Sequence, residues 1–192
     1  DVIERLANVD SGDYVRNPEK VYLEMQKSIG TCMIAQYIPL NPLSMGAKGY
    51  EKGSQSATTG LNEIILDGIR IDSPESVIEH MENVYFKKLK EDIVAFDAKK
   101  RVQEILAYAN KTQETLGQDI LKAPYCELAY FPTLKYGTYG YENYFMAYAL
   151  YPEVIEKSFS LQADYHLLRN KAAAIAYREG KLPPYIRLDF DM

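Results

Sequence analysis

The sequence predicts an α/β protein in which parallel strands alternate with covering helices. Three observations carry that expectation. Short apolar stretches at residues 31–39, 119–128 and 185–192 read as strands. Longer stretches with apolar residues at helical spacing separate them. Pro and Gly stand where one pattern gives way to the next. Alternation of this kind favours layered α/β packing with right-handed crossovers.

The elements follow in order. Asn17-Pro18-Glu19 starts a helix, with Asn17 as N-cap and Pro18 in its first turn, and Gly30 ends it. Val21, Tyr22, Met25 and Ile29 share its apolar face. The stretch 31–39, TCMIAQYIP, is a buried strand. Residues 40–60 form a long loop that holds Gly46, Gly49, Gly53 and Gly60. Residues 61–71 read as strands turning at Asp67-Gly68. Ser73-Pro74-Glu75 then caps and opens a helix reaching Phe96, with the acid near the positive helix end. The next helix covers 98–116, presents Val102, Ile105, Leu106 and Ala109 on one face, and stops at Gly117. A strand at 119–128 follows, then a loop at 132–140, a short helix at 141–150, and the longest helix at 152–179, closed by Gly180. Pro183-Pro184 precedes the last strand.

Composition narrows the classes. A length of 192 residues fits a single domain, 1–192, and 47% apolar content is ordinary for a globular chain. A net charge of −5 excludes bulk basicity and with it general nucleic-acid binding. No run of ~18 apolar residues predicts a membrane span. The polar start, DVIERLANVD, is unlike a signal peptide, and with no initiator Met it suggests a processed chain or a fragment. Cys32 and Cys126 make no disulfide framework, so reduced thiols in the cytoplasm are expected. Tyrosine supplies 17 of the aromatic residues against six Phe and no Trp. A ring with a polar tip suits a cleft or an interface as well as a core.

Several pieces in succession resemble the uroporphyrinogen decarboxylase superfamily. They are the helix starts Asp13-Tyr14-Val15-Arg16-Asn17-Pro18-Glu19 and Asp72-Ser73-Pro74-Glu75-Ser76-Val77, and the step from Leu116-Gly117 into residues 120–124. The loop Tyr130-Phe131-Pro132-Thr133-Leu134 before Gly140-Tyr141-Glu142, the start Tyr151-Pro152-Glu153-Val154, and the acidic strand at 186–192 complete the series. The resemblance spans residues 13–192. It implies a partial TIM (β/α)8-type barrel with parallel strands and flanking helices, lacking the C-terminal strands, since a whole barrel needs ~250 residues. The arginine-rich phenylalanine motif of the decarboxylases and the His-x-Cys zinc motif of the thiol methyltransferases are both missing. The resemblance therefore implies a corrinoid-linked methyltransferase with a corrinoid protein or tetrapyrrole as partner. The chain itself carries no cofactor on this reading, zinc would belong to the absent C-terminal part, and a homo-oligomer would complete the structure. Three alternatives stand beside it: a decarboxylase-type lyase, a non-catalytic truncated domain, and a small-molecule binding protein.

Candidate site residues follow from strand alternation within that barrel. With Ile186, Leu188 and Phe190 against helices, Arg187, Asp189 and Asp191 face inward, where unpaired charge is costly. Asp189, Asp191 and Glu127 are the candidate acid/base groups, and Tyr125, Tyr130, Tyr136 and Arg187 the candidate substrate contacts. The segment 125–151 holds eight tyrosines, which read equally as a pocket wall or as packing. Arg187 with Asp189 also reads as a structural ion pair, and Cys126 as a small buried apolar residue. His80 and His166 lack metal-ligand spacing and read as residues of solvated helix faces. The glycines of 46–60 lack the Gly-Lys-Ser/Thr of a phosphate loop. The charges at 87–92 and 99–101 read as helix surface.

Overall fold

The computed structural model describes residues 2–35, 63–124 and 129–183. Among these, 69% are helical. Strand is confined to four two-residue pieces: β1 Met33–Ile34, β2 Ile65–Leu66, β3 Ile69–Arg70 and β4 Leu121–Lys122. β1 and β4 pair in parallel, and β2 and β3 are antiparallel. This overturns the partial (β/α)8 barrel, whose wall is a continuous parallel ladder. The methyltransferase and corrinoid expectations came with the barrel and lose their ground with it.

The physical reason lies at the edge of β4. Leu121 and Ala123 donate their N–H groups to Cys32 and Ile34 across the parallel pair, at 2.9 Å each. The Lys122 N–H points the other way and donates to Gln113 Oε1 at 2.9 Å, while Gln113 Nε2 donates to the Ile120 carbonyl at 2.9 Å. A helix side chain thus holds backbone groups with which a third strand would pair. The parallel sense expected for 31–39 with 119–128 holds in the residues that do pair. The last strand, the loop at 40–60 and residues 125–128 lie outside the described residues.

The chain forms two compact units: Asp1–Ser54 with Lys99–Ala129 and Ala173–Met192, and Gln55–Ala98 with Tyr130–Ala172. In the first, α1 (Val2–Ala7), α2 (Asp13–Arg16) and α3 (Pro18–Ser28) precede β1. The buried Glu4 carboxylate accepts the Gly12 and Tyr14 N–H groups at 2.8 and 3.0 Å, satisfying donors at the start of α2. Pro18 opens α3 as expected, but the Asn17 side chain makes no capping bond. Helix α6, Ala98–Leu116, buries Val102, Ile105 and Leu116. Ile34, Leu116 and Ile120 form a small core with Tyr22 and Leu23 against it.

In the second unit the hairpin turns at Asp67-Gly68, with φ of 49° and 83°. Both central residues are left-handed, which matches strand twist and favours this dipeptide. Helix α4, Pro74–His80, begins with a reciprocal cap: Ser73 accepts the Ser76 N–H, and Ser76 Oγ accepts the Ser73 N–H at 3.1 Å. A π turn at Met81–Tyr85 then widens the helix before α5, Phe86–Val94. The Phe86 N–H reaches the Met81 carbonyl, five residues back. That wider turn brings Met81 and Phe86, both buried, into one apolar cluster with Val77, Tyr139, Tyr144 and Ile155. Each such side chain contributes roughly 1.5–3 kcal/mol on burial. Helices α7 (Tyr136–Tyr139) and α8 (Tyr141–Leu150) precede α9, Pro152–Gly180. Residues 136–139 were expected as loop and form one helical turn. Among the described residues, no helix is long and apolar enough to cross a membrane.

Candidate functional site

A cavity of about 880 Å³ lies in the first unit, against α6, β4 and the C-terminal end of α9. Its apolar wall includes Ile105, Tyr108, Ala109, Leu121, Leu182 and Pro183, and Arg101, Glu104, Lys122 and Lys181 supply its charges. α6 contributes its part of the wall by helical periodicity, since 101, 104, 105, 108 and 109 recur at three- and four-residue spacing.

Gln113 organises the floor. Its amide donates to the Gly117 and Ile120 carbonyls at 2.7 and 2.9 Å and accepts the Lys122 N–H. One side chain therefore ties the end of α6 to β4. Lys122 is buried, and its ammonium donates to the Ala35 and Ala123 carbonyls at 2.7 and 2.9 Å. Arg101 pairs with Glu104 one turn on, at 3.2 Å.

The far wall ends in a helix stop built unusually. Leu182 N–H bonds to the Tyr177 carbonyl at 3.2 Å, the long bond of a Schellman motif. Lys181 occupies the left-handed position of that motif at φ 49°, where glycine is the favoured residue. The glycine expected to close the helix, Gly180, sits one residue earlier. A Cβ there would lie 2.2 Å from Leu106 Cδ2. A side chain at 180 would require the end of Leu106 to shift, and Lys181 takes the left-handed turn.

Of the residues named from the sequence, Tyr125, Glu127, Arg187, Asp189 and Asp191 lie outside the described residues, as does Cys126. Tyr130 and Tyr136 belong to the second unit, and the structure places them in separate aromatic groups. The Arg169 guanidinium lies 3.5 Å from the Tyr130 ring centroid, a cation–π contact. Tyr136 is exposed and stacks on Phe145, with ring centroids 5.8 Å apart. Tyr141 and Tyr148 of the same segment are also exposed. Tyr139 and Tyr144 are core residues, and burial pushes both phenols up in pKa. Burial likewise pushes Tyr85 up to about 12.

Two amides of α9 fasten the segment before α7. Asn170 accepts the Tyr130 N–H and donates to its carbonyl, both at 2.8 Å. Gln162, eight residues earlier, does the same for Thr133 at 3.1 and 3.3 Å. Each side chain pairs with a peptide as a neighbouring strand would.

His80 is not on a solvated face. It is buried, with Nδ1 3.0 Å from the Tyr139 hydroxyl and Nε2 2.9 Å from Asp67 Oδ2. An ionised carboxylate only accepts, so Nε2 carries the hydrogen and, in the neutral ring, Nδ1 accepts from Tyr139. No spacing rule joins residues 67, 80 and 139, and helical periodicity alone did not reveal the contact.

His166 is half-buried, and its pKa is lowered by burial first and then by Arg169 and Lys135. Below the unfolded value of about 6.5 the unfolded chain binds the proton more readily than the folded one. Stability is expected to be full above pH 6.5 and to fall from there towards the lower folded value. Urea unfolding from pH 8 to 5 checks this, and His166→Gln should flatten the slope. An unchanged slope in that variant would assign the pH dependence elsewhere.

Among the described residues, no group of three His, Cys, Asp or Glu side chains is placed to hold a metal ion. No family model, curated protein or solved structure matches the chain. The resemblance to the uroporphyrinogen decarboxylase superfamily therefore rests on the quoted motifs alone.

Proposed function

We propose that the chain is a small-molecule-binding protein whose ligand occupies the cavity against α6, β4 and the end of α9. One observation carries this reading: a space of about 880 Å³ whose lining joins apolar side chains with charged and amide groups. Ligand sites typically span ~300–1,000 Å³. Support also comes from the elements that carry the walls, a nineteen-residue helix and a hydrogen-bonded strand pair. We place the protein in the cytoplasm, because Cys32 is a free, exposed thiol that a reducing compartment preserves. Alkylation of Cys32 in intact cells would read that assignment, and finding it oxidised there would overturn it.

The cavity reading is tested by filling the space. Ala109→Trp puts an indole into the cavity from α6. A thermal-shift screen of small molecules should yield compounds that stabilise the wild-type chain. At a hundred times Kd the gain is about 2.7 kcal/mol, or roughly 5–10 °C in Tm at this chain length. The filled variant should keep its helical circular dichroism and lose the shift. Stabilisation that survives the tryptophan would place the ligand elsewhere and overturn the reading.

A further inference from the structure

We propose that protonation of His166 releases the segment at residues 130–135 from α9, so that this part of the second unit opens in mild acid. The geometry begins with spacing. Ser158, Gln162, His166 and Asn170 recur every four residues, which sets them in one row along the helix. Asn170 holds the Tyr130 peptide and Gln162 the Thr133 peptide. Gln162 also donates to Ser158 Oγ at 3.2 Å. His166 stands in the row between the two clamps.

The groups around the imidazole offer a proton no counter-charge. From α9 comes Arg169, whose guanidinium lies over the Tyr130 ring. From the segment comes Lys135, half-buried, with its ammonium 5.8 Å from the Tyr85 ring centroid. Both cations lower the His166 pKa after burial has done so, and the Phe131 backbone opposes them. The Tyr130 and Tyr165 rings flank the imidazole, with centroids 6.0 and 6.1 Å away. Asp164 and Lys171 are exposed and lie roughly 140–200° around the helix from His166. The Nδ1 atom of His166 is buried and makes no hydrogen bond. Both nitrogens of a charged ring are donors, so protonation leaves a hydrogen on Nδ1 with nothing to accept it. The new charge thus sits beside two of its own sign with a donor unmet. Each costs free energy while the segment is closed and is relieved when water reaches the ring.

Hydrogen exchange at the Tyr130 and Thr133 amides of the full chain, followed from pH 8 to 5, reads the opening once each rate is corrected for the pH dependence of exchange itself. The open ring titrates near a pKa of about 6.5 and the closed ring below it. The opening constant should therefore be flat above pH 6.5. Below that it should rise by at most about tenfold per pH unit, the limit for one proton, and level off beneath the closed value. Protection at the two amides should fall together. Low urea should leave it unchanged, because release of a short segment exposes little surface. His166→Gln should remove the pH dependence, and Lys135→Gln should reduce it, since one repelling charge is gone. Three results would each overturn the proposal. They are protection that ignores pH in the wild type, a fall that His166→Gln or Lys135→Gln leaves at full size, and opening that rises with urea as global unfolding does.

Discussion

Gln113→Ala is expected to lose about 2–4 kcal/mol of stability and to abolish ligand binding with it. The amide makes three hydrogen bonds to backbone groups, at Gly117, Ile120 and Lys122. Ile120 and Lys122 are buried, so the freed carbonyl and N–H lose a partner that water replaces only in part. The cost is that of leaving polar groups unmet, which exceeds the net worth of the bonds themselves. Gln113→Glu separates this account from a general effect of truncation. A carboxylate still accepts the Lys122 N–H but cannot donate to the two carbonyls. It should therefore fall between wild type and alanine in urea unfolding at neutral pH. Wild-type stability in both variants would mean that the end of α6 and β4 are held together by something other than this side chain. Because Gln113 also lines the cavity, hydrogen exchange at Leu121 and Ala123 should rise in the alanine variant as the pairing with Cys32 and Ile34 loosens.

Tyr139→Phe is expected to cost about 1–3 kcal/mol, and His80→Leu about as much or more. The hydroxyl and ring nitrogen lie 3.0 Å apart in the interior of the second unit. Removing either leaves the other buried without its partner. The imidazole also accounts for one end of the contact to Asp67 in the hairpin turn, at 2.9 Å. Asp67 is 64% exposed, so Asp67→Asn should matter far less than either core change. The double variant Tyr139→Phe with His80→Leu should cost less than its two single changes added, because the polar pair is replaced as a unit. Additive losses in equilibrium unfolding would show that the two groups act independently. Tyr139 stacks on Tyr144 with the rings nearly parallel, 7° apart, and the phenylalanine keeps that contact. The predicted loss is therefore assigned to the hydroxyl.

Local chemistry was enough to read much of the secondary structure from the chain. The Ser73-Pro74 cap, the Asp67-Gly68 turn, the helix at Ala98–Leu116 and the helix at Tyr141–Leu150 all depend on residues within a few positions of each other. Backbone preference and periodicity determine such features directly. The parallel sense of β1 and β4 was also legible, because helices separate the two stretches in the sequence. The barrel was not there to be read in the described residues: the strand pieces seen there are two residues long, and the Gln113 amide holds the backbone groups beside β4. Only the tertiary structure decided which polar groups meet. His80 and Tyr139 are 59 residues apart, and Tyr130 and Asn170 are 40 apart. It also set the left-handed residue of the last helix stop at Lys181, while Gly180 packs closely against Leu106. Periodicity tells a side chain which face of its own helix it occupies. What stands opposite that face is settled by long-range packing, in which each buried donor and acceptor must find a partner wherever along the chain one lies.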